Sequence, residues 1–289
     1  MTIGILANLR KPRISEIVPA LLEWLNAHRI SAVVGEELYR FLRLSGNQAE
    51  AVSDGQFAQR CDVAVSMGGD GTMLTLARLI GKQEKPMVGV NLGGLGFLAE
   101  VSVEDLYPKM EKVISGEYTI EERMVLEASL QDSPGVRAYY AMNDVVLDRG
   151  SSSRVLRIRV HVDGDYFNTY YSDGIIVSTP TGSTAYSLAA SGPILVPSLE
   201  SIILNPICPH TLTARPTVVP ASSVIDLQVE STGSEPFLSV DGQSDSKLKS
   251  GSKITVRKGA YCARLIVFND HNFFDLLRKK LQWGSLPRK

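Results

Sequence analysis

Residues 61–72 read Cys61-Asp62-Val63-Ala64-Val65-Ser66-Met67-Gly68-Gly69-Asp70-Gly71-Thr72. Asp62 to Ser66 is a short apolar run of strand character, and it enters a turn where one carboxylate sits among three glycines. Glycine lacks the Cβ that would hold a ligand off, and it tolerates positive φ. The turn is therefore expected to bend sharply through positive φ and to admit a close approach. Met73, Leu74, Leu76, Ala77, Leu79 and Ile80 follow at helical spacing. That places the loop at a strand's carboxyl end and a helix's amino end, the usual ligand crevice of an open α/β sheet. Free N–H groups at a helix start favour phosphate, and an acid facing the same anion implies a metal ion or a hydroxyl between them. The competing reading makes Asp70 a helix cap, which needs one glycine at most.

Outward from this turn the first half of the chain alternates strand and helix. Residues 3–7 read as a strand. Ile14, Ile17, Val18, Leu21, Leu22 and Leu25 form one helical face, Ala32–Val34 a strand, Leu38–Leu44 a helix and Pro86–Val90 a further strand. This alternation predicts a doubly wound parallel sheet. The last strand enters a second glycine turn, Asn91-Leu92-Gly93-Gly94-Leu95-Gly96-Phe97. Gly94, Gly96 and Ala99 satisfy a G-x-G-x-x-A dinucleotide pattern. The match is not in the first strand-helix unit, and Val101–Glu104 start a new segment rather than a long docked helix, so two glycine loops sharing one crevice is the better reading.

From Met124 to Phe268 short alternating runs predominate. Leu156, Ile158, Val160 and Val162 share one strand face, Arg157, Arg159 and His161 the solvent face, and Asp163-Gly164 then marks a tight hairpin. Val224–Val229, Ile254–Val256 and Leu265–Phe268 read as further strands of a β-rich domain. Phe273, Phe274, Leu277 and Leu281 turn helical again and are expected to bury that face on the first domain. The expected division is 1–122, 123–268 and 269–289.

At 289 residues, 44% hydrophobic and 21% charged with a net charge of −1, the composition is that of an ordinary globular protein. No basic run is long enough to track nucleic-acid phosphates, and Arg278-Lys279-Lys280 reads as the charged last turn of a helix. No apolar run approaches ~18 residues, so no membrane span is expected. Ile3–Ala7 is too short for a signal-peptide core, and the cytoplasm is the expected compartment. Cys61, Cys208 and Cys262 are far apart, suggesting buried free thiols. His28, His161, His210 and His271 lack metal-ligand spacing.

One run breaks the alternation: Ser172-Asp173-Gly174-Ile175-Ile176-Val177-Ser178-Thr179-Pro180-Thr181-Gly182-Ser183-Thr184-Ala185-Tyr186-Ser187. Small hydroxyls beside a glycine suit hydrogen bonding to ribose, adenine edges or phosphate; the alternative is a Ser/Thr-rich surface loop. Asn143 and Asp144 put an amide and an acid at the start of an apolar strand. Asp241-Gly242-Gln243 reads as a structural turn. No G-x-S-x-G elbow and no G-x-x-x-x-G-K-[ST] loop is present.

Together these motifs resemble the bacterial NAD kinases over nearly the whole chain: GGDGT at 68–72, NLGGLGFL at 91–98, ND at 143–144, SDGIIVSTPTGSTAYSLAASGPI at 172–194, PHTLTARP at 209–216 and DGQ at 241–243. The long fourth motif is highly specific, whereas GGDG also occurs in phosphofructokinases and lipid kinases. The resemblance implies an α/β Rossmann-like amino-terminal domain, a β-sandwich carboxyl-terminal domain and a homo-oligomer, dimer or tetramer, in which the dinucleotide contacts more than one subunit. It implies transfer of a phosphoryl group from ATP, or another donor, to the adenosine ribose 2′-hydroxyl of NAD, giving NADP. Asp70 matches the family's proton acceptor. Gly68, Gly69, Gly71, Thr72 and Phe97 fall in its substrate-binding motifs, as do Asn143 and Asp144. Asp173, Thr184, Ala185, Tyr186, Ser187, Leu188 and Ala189 match positions around the adenosine, Ala214 and Gln243 peripheral contacts, and Arg154 a basic or polar one. Tyr171 stands where some relatives carry a basic residue. Without a Walker lysine, the donor phosphates are expected to be held by glycine-loop amides and Mg²⁺, with no protein ligand of the metal named. A lipid or sugar kinase and a non-catalytic dinucleotide sensor are the rival readings.

Overall fold

The computed structural model describes residues 1–94, 96–132, 135–231, 235–268 and 272–283; Leu95, His271 and residues 284–289 lie outside them. The chain divides into two compact units, Met1–Glu122 with Ala263–Lys289, and Arg123–Cys262.

In the first unit, strands β1 (Thr2–Ala7), β2 (Ser31–Gly35), β3 (Glu50–Val52), β4 (Val63–Gly68), β5 (Met87–Asn91) and β6 (Val101–Ser102) alternate with helices α1 (Ile14–Ala27), α2 (Glu36–Phe41), α3 (Asp54–Arg60), α4 (Asp70–Ile80) and α5 (Leu106–Ser115). The strands are parallel in the order β3-β2-β1-β4-β5, with β6 beside β5. Every residue of β4 and β5 is buried, which is why both read as continuous apolar runs rather than alternating ones. All six residues of the expected α1 face are buried. The strand order reverses between β1 and β4, so the crevice of the sheet opens where those strands end. Asn8, just past β1, donates its N–H to Met67 O at 2.9 Å and ties the two strand ends together.

The expected helix from Met73 begins at Asp70, because Gly69 in extended backbone (φ −144°, ψ −166°) serves as the N-cap. The helix expected at Leu38–Leu44 is the shorter α2. The elements β3, α3 and α5 were not legible: β3 has three residues, and α3 buries only Phe57 and Ala58. In α5 the buried Leu106, Met110 and Val113 have helical spacing, hidden by the polar segment before them.

The second unit is built from β7 (Thr119–Asp132), β8 (Gly135–Ala141), β9 (Asp144–Asp148), β10 (Leu156–Val162), β11 (Asp165–Ser172), β12 (Gly174–Ser178), β13 (Ser201–Ile207), β14 (Thr217–Pro220), β15 (Ile225–Glu230), β16 (Phe237–Val240), β17 (Ser244–Lys247) and β18 (Lys253–Val267); β7 enters from the first unit and β18 returns to it. One antiparallel sheet runs β14-β13-β12-β9-β16-β17, and the other has β11-β10-β15-β18 with β7 and β8 beside them. Both line one core: Leu156, Ile158, Val160, Ile225 and Leu227 from one sheet meet Val145, Leu147, Ile175, Val177 and Leu238 from the other. This is a β-sandwich. Asp163 (φ 54°) and Gly164 (φ 86°) form the expected hairpin turn between β10 and β11. The strands expected at Ile254–Val256 and Leu265–Phe268 are one strand, β18. Within it a Cβ on Gly259 would lie 3.1 Å from Val125 O of β7, so the glycine serves close strand approach.

Helix α7 (Phe273–Leu281) belongs to the first unit and is capped by Asn272, whose side chain accepts the Asp275 N–H. It buries Leu276 and Leu277, while Phe274, expected on the apolar face, is exposed. The three thiols are free, but only Cys61 is buried; Cys208 is exposed, in a left-handed residue (φ 44°) just past β13.

The packing at Gly4 gives a direct check of the first unit. A Cβ there would lie 2.8 Å from the Phe57 ring and 3.0 Å from Cys61 Sγ, both in the buried layer of α3. Gly4→Ala is expected to lower stability by about 1–3 kcal/mol, the usual cost of overpacking a close-packed core, read as a shift in the urea midpoint at unchanged slope.

Candidate functional site

Asp70 is the first residue of α4, yet its carboxylate does not cap the helix. Oδ2 accepts the N–H of Phe97 at 2.8 Å, and Oδ1 accepts those of Leu98 and Ala99 at 3.0 and 3.2 Å. The acid therefore joins the two glycine loops. Gly96 makes room for it: a Cβ there would lie 2.0 Å from Asp70 Oδ1. Gly68 serves the same end, since its Cβ would lie 2.1 Å from Thr72 Oγ1. Around Gly69, Gly71 and Gly94 a Cβ would meet nothing within 4 Å. The glycines thus divide into two that permit internal contact and three on an open face. Gly68, Gly69 and Gly71 do not adopt the positive φ expected from the sequence, because extended backbone at Gly69 makes the bend. Asn91, itself buried, holds the second loop, donating to Gly94 O and Ala99 O and accepting from Gly93 N. In this loop the G-x-G-x-x-A pattern serves the clamp on Asp70.

The second unit repeats the device. Asp241 Oδ2 accepts the N–H of Met142 at 2.9 Å, and Oδ1 those of Asn143 and Asp144 at 2.8 and 3.0 Å. Asp241 (φ 52°) and Gly242 (φ 62°) are both left-handed, the turn that aims the carboxylate at the start of β9. Beside it lies a cavity of about 340 Å³ whose lining includes Asn143, Asp144, Asp148, Ala185, Tyr186 and Asp241. Asp144 is 4% exposed. Burial, and after it the neighbouring Asp241 carboxylate, pushes its carboxyl from 3.8 up to about 7. Asn143 Oδ1 is buried with no hydrogen-bond donor. The Tyr186 hydroxyl is pushed up by burial first and then by Asp148, Cys208, Asp173 and Asp144.

The Ser and Thr hydroxyls of 178–187 turn inward, contrary to the expectation that they present themselves to a ligand, while Tyr186 stays exposed on the cavity. Ser178 Oγ donates to Asn143 O at 3.2 Å and Thr179 Oγ1 to Met142 O at 2.6 Å. Ser183 bonds Leu195, Thr184 Oγ1 donates to Thr181 O, and Ser187 accepts from Asn205. Most of these side chains are fully buried, and a buried hydroxyl needs a partner; backbone carbonyls supply it. Gly182 completes the seam, since a Cβ there would lie 2.1 Å from Asn143 O. The run thus positions Ala185 and Tyr186 by stitching their turn to residues 142–143. Leu188 and Ala189 continue the short helix α6 (Tyr186–Ala189).

Asp173 forms a two-point ion pair with Arg149, at 2.8 Å through Nε and 3.3 Å through Nη2. Arg154 lies with Arg149 on a separate depression of about 580 Å³. Tyr171 is exposed on β11, Ala214 is half-buried after β13, and Gln243 closes the Asp241 turn. Two residues were missed, as was the hold of Asp241 on residues 142–144. Asp148 ends an apolar strand on the cavity, a place where strand alternation could have flagged it, whereas Arg149 and the capture of 142–144 by Asp241 left no local signal. Another cavity, about 570 Å³, lies at the amino ends of β1, β2 and β3, the opposite end of that sheet from Asp70. Among the described residues no group of three or more His, Cys, Asp or Glu is arranged to hold a metal ion.

Comparison with known proteins identifies the parts. Residues 3–118 match the ATP-NAD kinase N-terminal domain, and residues 142–268 the ATP-NAD kinase C-terminal domain. The NAD kinase of Citrifermentans bemidjiense is 43% identical over 98% of this chain and 99% of its own length, and that of Geobacter sulfurreducens 41% identical over the same shares. Yeast NADH kinase complexed with NADH superposes with a TM-score of 0.92 at 27% identity, covering 100% of this chain and 89% of its own. An Archaeoglobus fulgidus NAD kinase in complex with ATP gives 0.76 at 25% identity, covering 96% and 99%.

The raised Asp144 carboxyl makes a pH-dependent prediction. The unfolded chain releases this proton near 3.8, the folded chain holds it to about 7. The fold binds the extra proton between those values, so this group's stabilising share is complete at low pH and is lost as pH rises through about 7. Asp144→Asn, which cannot ionise, should therefore gain in Tm over the parent as pH rises from about 5 to about 8. A Tm difference that stays constant across that range would contradict the buried-acid account.

Proposed function

The chain belongs to the ATP-NAD kinase family and phosphorylates NAD to NADP with ATP, and we propose that Asp70 Oδ2 is the atom that receives the acceptor hydroxyl's proton. The observation that carries this is the occupancy of the carboxylate. A carboxylate offers about four lone-pair directions. Oδ1 spends both of its own on Leu98 and Ala99, and Oδ2 spends one on Phe97. One direction on Oδ2 remains, and a Cβ on the flanking Gly69 or Gly71 would meet nothing within 4 Å.

In the transfer, the ribose 2′-oxygen bonds to the terminal phosphorus of ATP as the bridge to ADP breaks, and the hydroxyl proton passes to Oδ2. Such transfers go through a loose transition state in which positioning and charge neutralisation dominate, so a base is needed only late. A carboxylate fixed by three backbone amides is suited to that role. We place Mg²⁺ on the donor phosphates, since the protein offers no three-ligand cluster among its described residues; when bound there it would neutralise their charge. The cavity at Asp144 suits the hydroxyl-bearing part of a nucleoside: Asn143 Oδ1 lacks a donor, and the buried Asp144 carboxyl, raised to about 7, holds its proton more readily than an ordinary carboxyl does. We assign the protein to the cytoplasm. We also assign it a homodimeric or homotetrameric state, which the exposed Tyr166, Phe167 and Tyr171 on edge strand β11 support.

With NAD, ATP and Mg²⁺, Asp70→Asn should lower kcat by about 10²- to 10⁴-fold, the range for loss of a general base, while NAD affinity changes far less. An amide has one acceptor oxygen, so one backbone N–H would lose its partner at a cost of about 1–3 kcal/mol; circular dichroism at the assay temperature shows whether the variant is folded. A folded Asp70→Asn enzyme with near-normal kcat would sink the assignment.

Gly96→Ala provides the complementary test, leaving the acid in the sequence but driving a Cβ into it. Its kcat should fall by at least about 10², since a misplacement of about 1 Å suffices for that. Normal turnover in this variant would mean that the clamp does not set the position of the base.

A further inference from the structure

Two cations bracket the loop that clamps Asp70. Lys280, in the last turn of α7, holds its ammonium 5.6 Å from the centroid of the Phe97 ring, within the range of a cation–π contact. Lys11 belongs to the turn after β1, fixed by the bond from its own N–H to Asn8 O, and its Nζ lies 3.7 Å from where a Cβ on Gly93 would be. Both side chains are exposed, and neither has a carboxylate partner among the described residues. Arg278, two residues from Lys280, is ion-paired with Asp275, so α7 neutralises one of its cations and leaves this one over the loop. The lysines come from opposite ends of the chain to one loop, whose Gly94 faces open space.

We infer that Lys11 and Lys280 form the donor-phosphate clamp of this enzyme, holding the polyphosphate of ATP against the loop that fixes Asp70. This rests on the reading of that loop as the phosphoryl-transfer centre. The chemistry follows from what the loop lacks. Backbone amides offer hydrogen bonds but no net charge, and there is no Walker lysine in the sequence. A triphosphate needs cations, and lysine serves as a point-charge phosphate ligand. The Phe97 ring steers Lys280 while keeping its N–H groups free for phosphate oxygens, and the Phe97 amide is itself on Asp70. One residue therefore relates the position of the cation to that of the base.

The test uses the full-length enzyme with Mg²⁺, ATP and NAD, and inorganic tripolyphosphate as inhibitor. Lys11→Met and Lys280→Met should each raise KM for ATP and the tripolyphosphate inhibition constant by about 10-fold, the effect of one charge-assisted contact. KM for NAD should stay within about twofold, and Lys280→Arg should recover most of the loss because charge and ring stacking persist. Lys279→Met on the same helix turn should match the parent. Methionine still packs on an aromatic ring, so if Lys280 merely docks α7, Lys280→Met retains the parent KM for ATP and the inference falls. It falls equally if KM for NAD rises instead, or if Tm drops with no change in either phosphate constant. Failure here with an inactive Asp70→Asn leaves the transfer centre standing; an active Asp70→Asn removes the centre whatever the lysines do.

Discussion

The capture of one carboxylate by three consecutive backbone amides is the constraint around which the first unit's site is arranged. Asp70 accepts from Phe97, Leu98 and Ala99, and the glycines on both sides follow from it. Gly96 exists so that Oδ1 can enter. Gly89 lets β5 lie against the backbone of Ala99, where a Cβ would come within 2.7 Å of its Cα. Asn91 fills the inside of the same loop. Hydrogen bonds to a charged group contribute about 1.5–3 kcal/mol each, enough for the three to fix the carboxylate on the time scale of a reaction. The second unit uses the same solution, Asp241 on Met142, Asn143 and Asp144, to set the first residues of β9. In both cases the acid comes from a glycine-containing turn and the amides from a distant loop.

Local periodicity made much of the fold legible. The α1 face, the β10–β11 hairpin and the strand leading to Asp70 have spacings that burial alone explains. Chemistry at long range was not legible. The partners of Asp70 lie 27 to 29 residues away, and a clamp of backbone groups requires no particular side chains at 97–99. The turn of 178–187 was read in the wrong direction for a related reason: composition names hydroxyls but not which way they face, and here burial turned them toward carbonyls. The run Ile254–Val256 was separated from Leu265–Phe268 because sequence cannot show that Gly259 lets a neighbouring strand come close within one continuous strand. Asp241 was recognised as a structural turn, yet the residues it holds were out of view.

The two units therefore treat acids in different ways. Asp70 is surrounded by donors, whereas Asp144 is surrounded by apolar strand and another carboxylate, and its charge is opposed by both. One environment favours a fixed acceptor, the other a group that exchanges a proton near neutrality. Arg149 gives Asp173 a third setting, a two-point ion pair at the surface. Three aspartates of one chain thus sit in three settings that their neighbours define.

Because the Asp70 clamp is made of main-chain N–H groups, it is indifferent to the side chains that carry them. The half-buried Phe97 side chain can be exchanged at the expense of its contact with Lys280, and the acid keeps its three amides. The exclusions are few and specific: proline at 97, 98 or 99 deletes a donor, and any side chain at 96 fills the acid's seat. The position of the carboxylate is thereby insulated from the side chains on the residues that hold it, so a chain of this kind can alter the lining of its crevice without moving the acid.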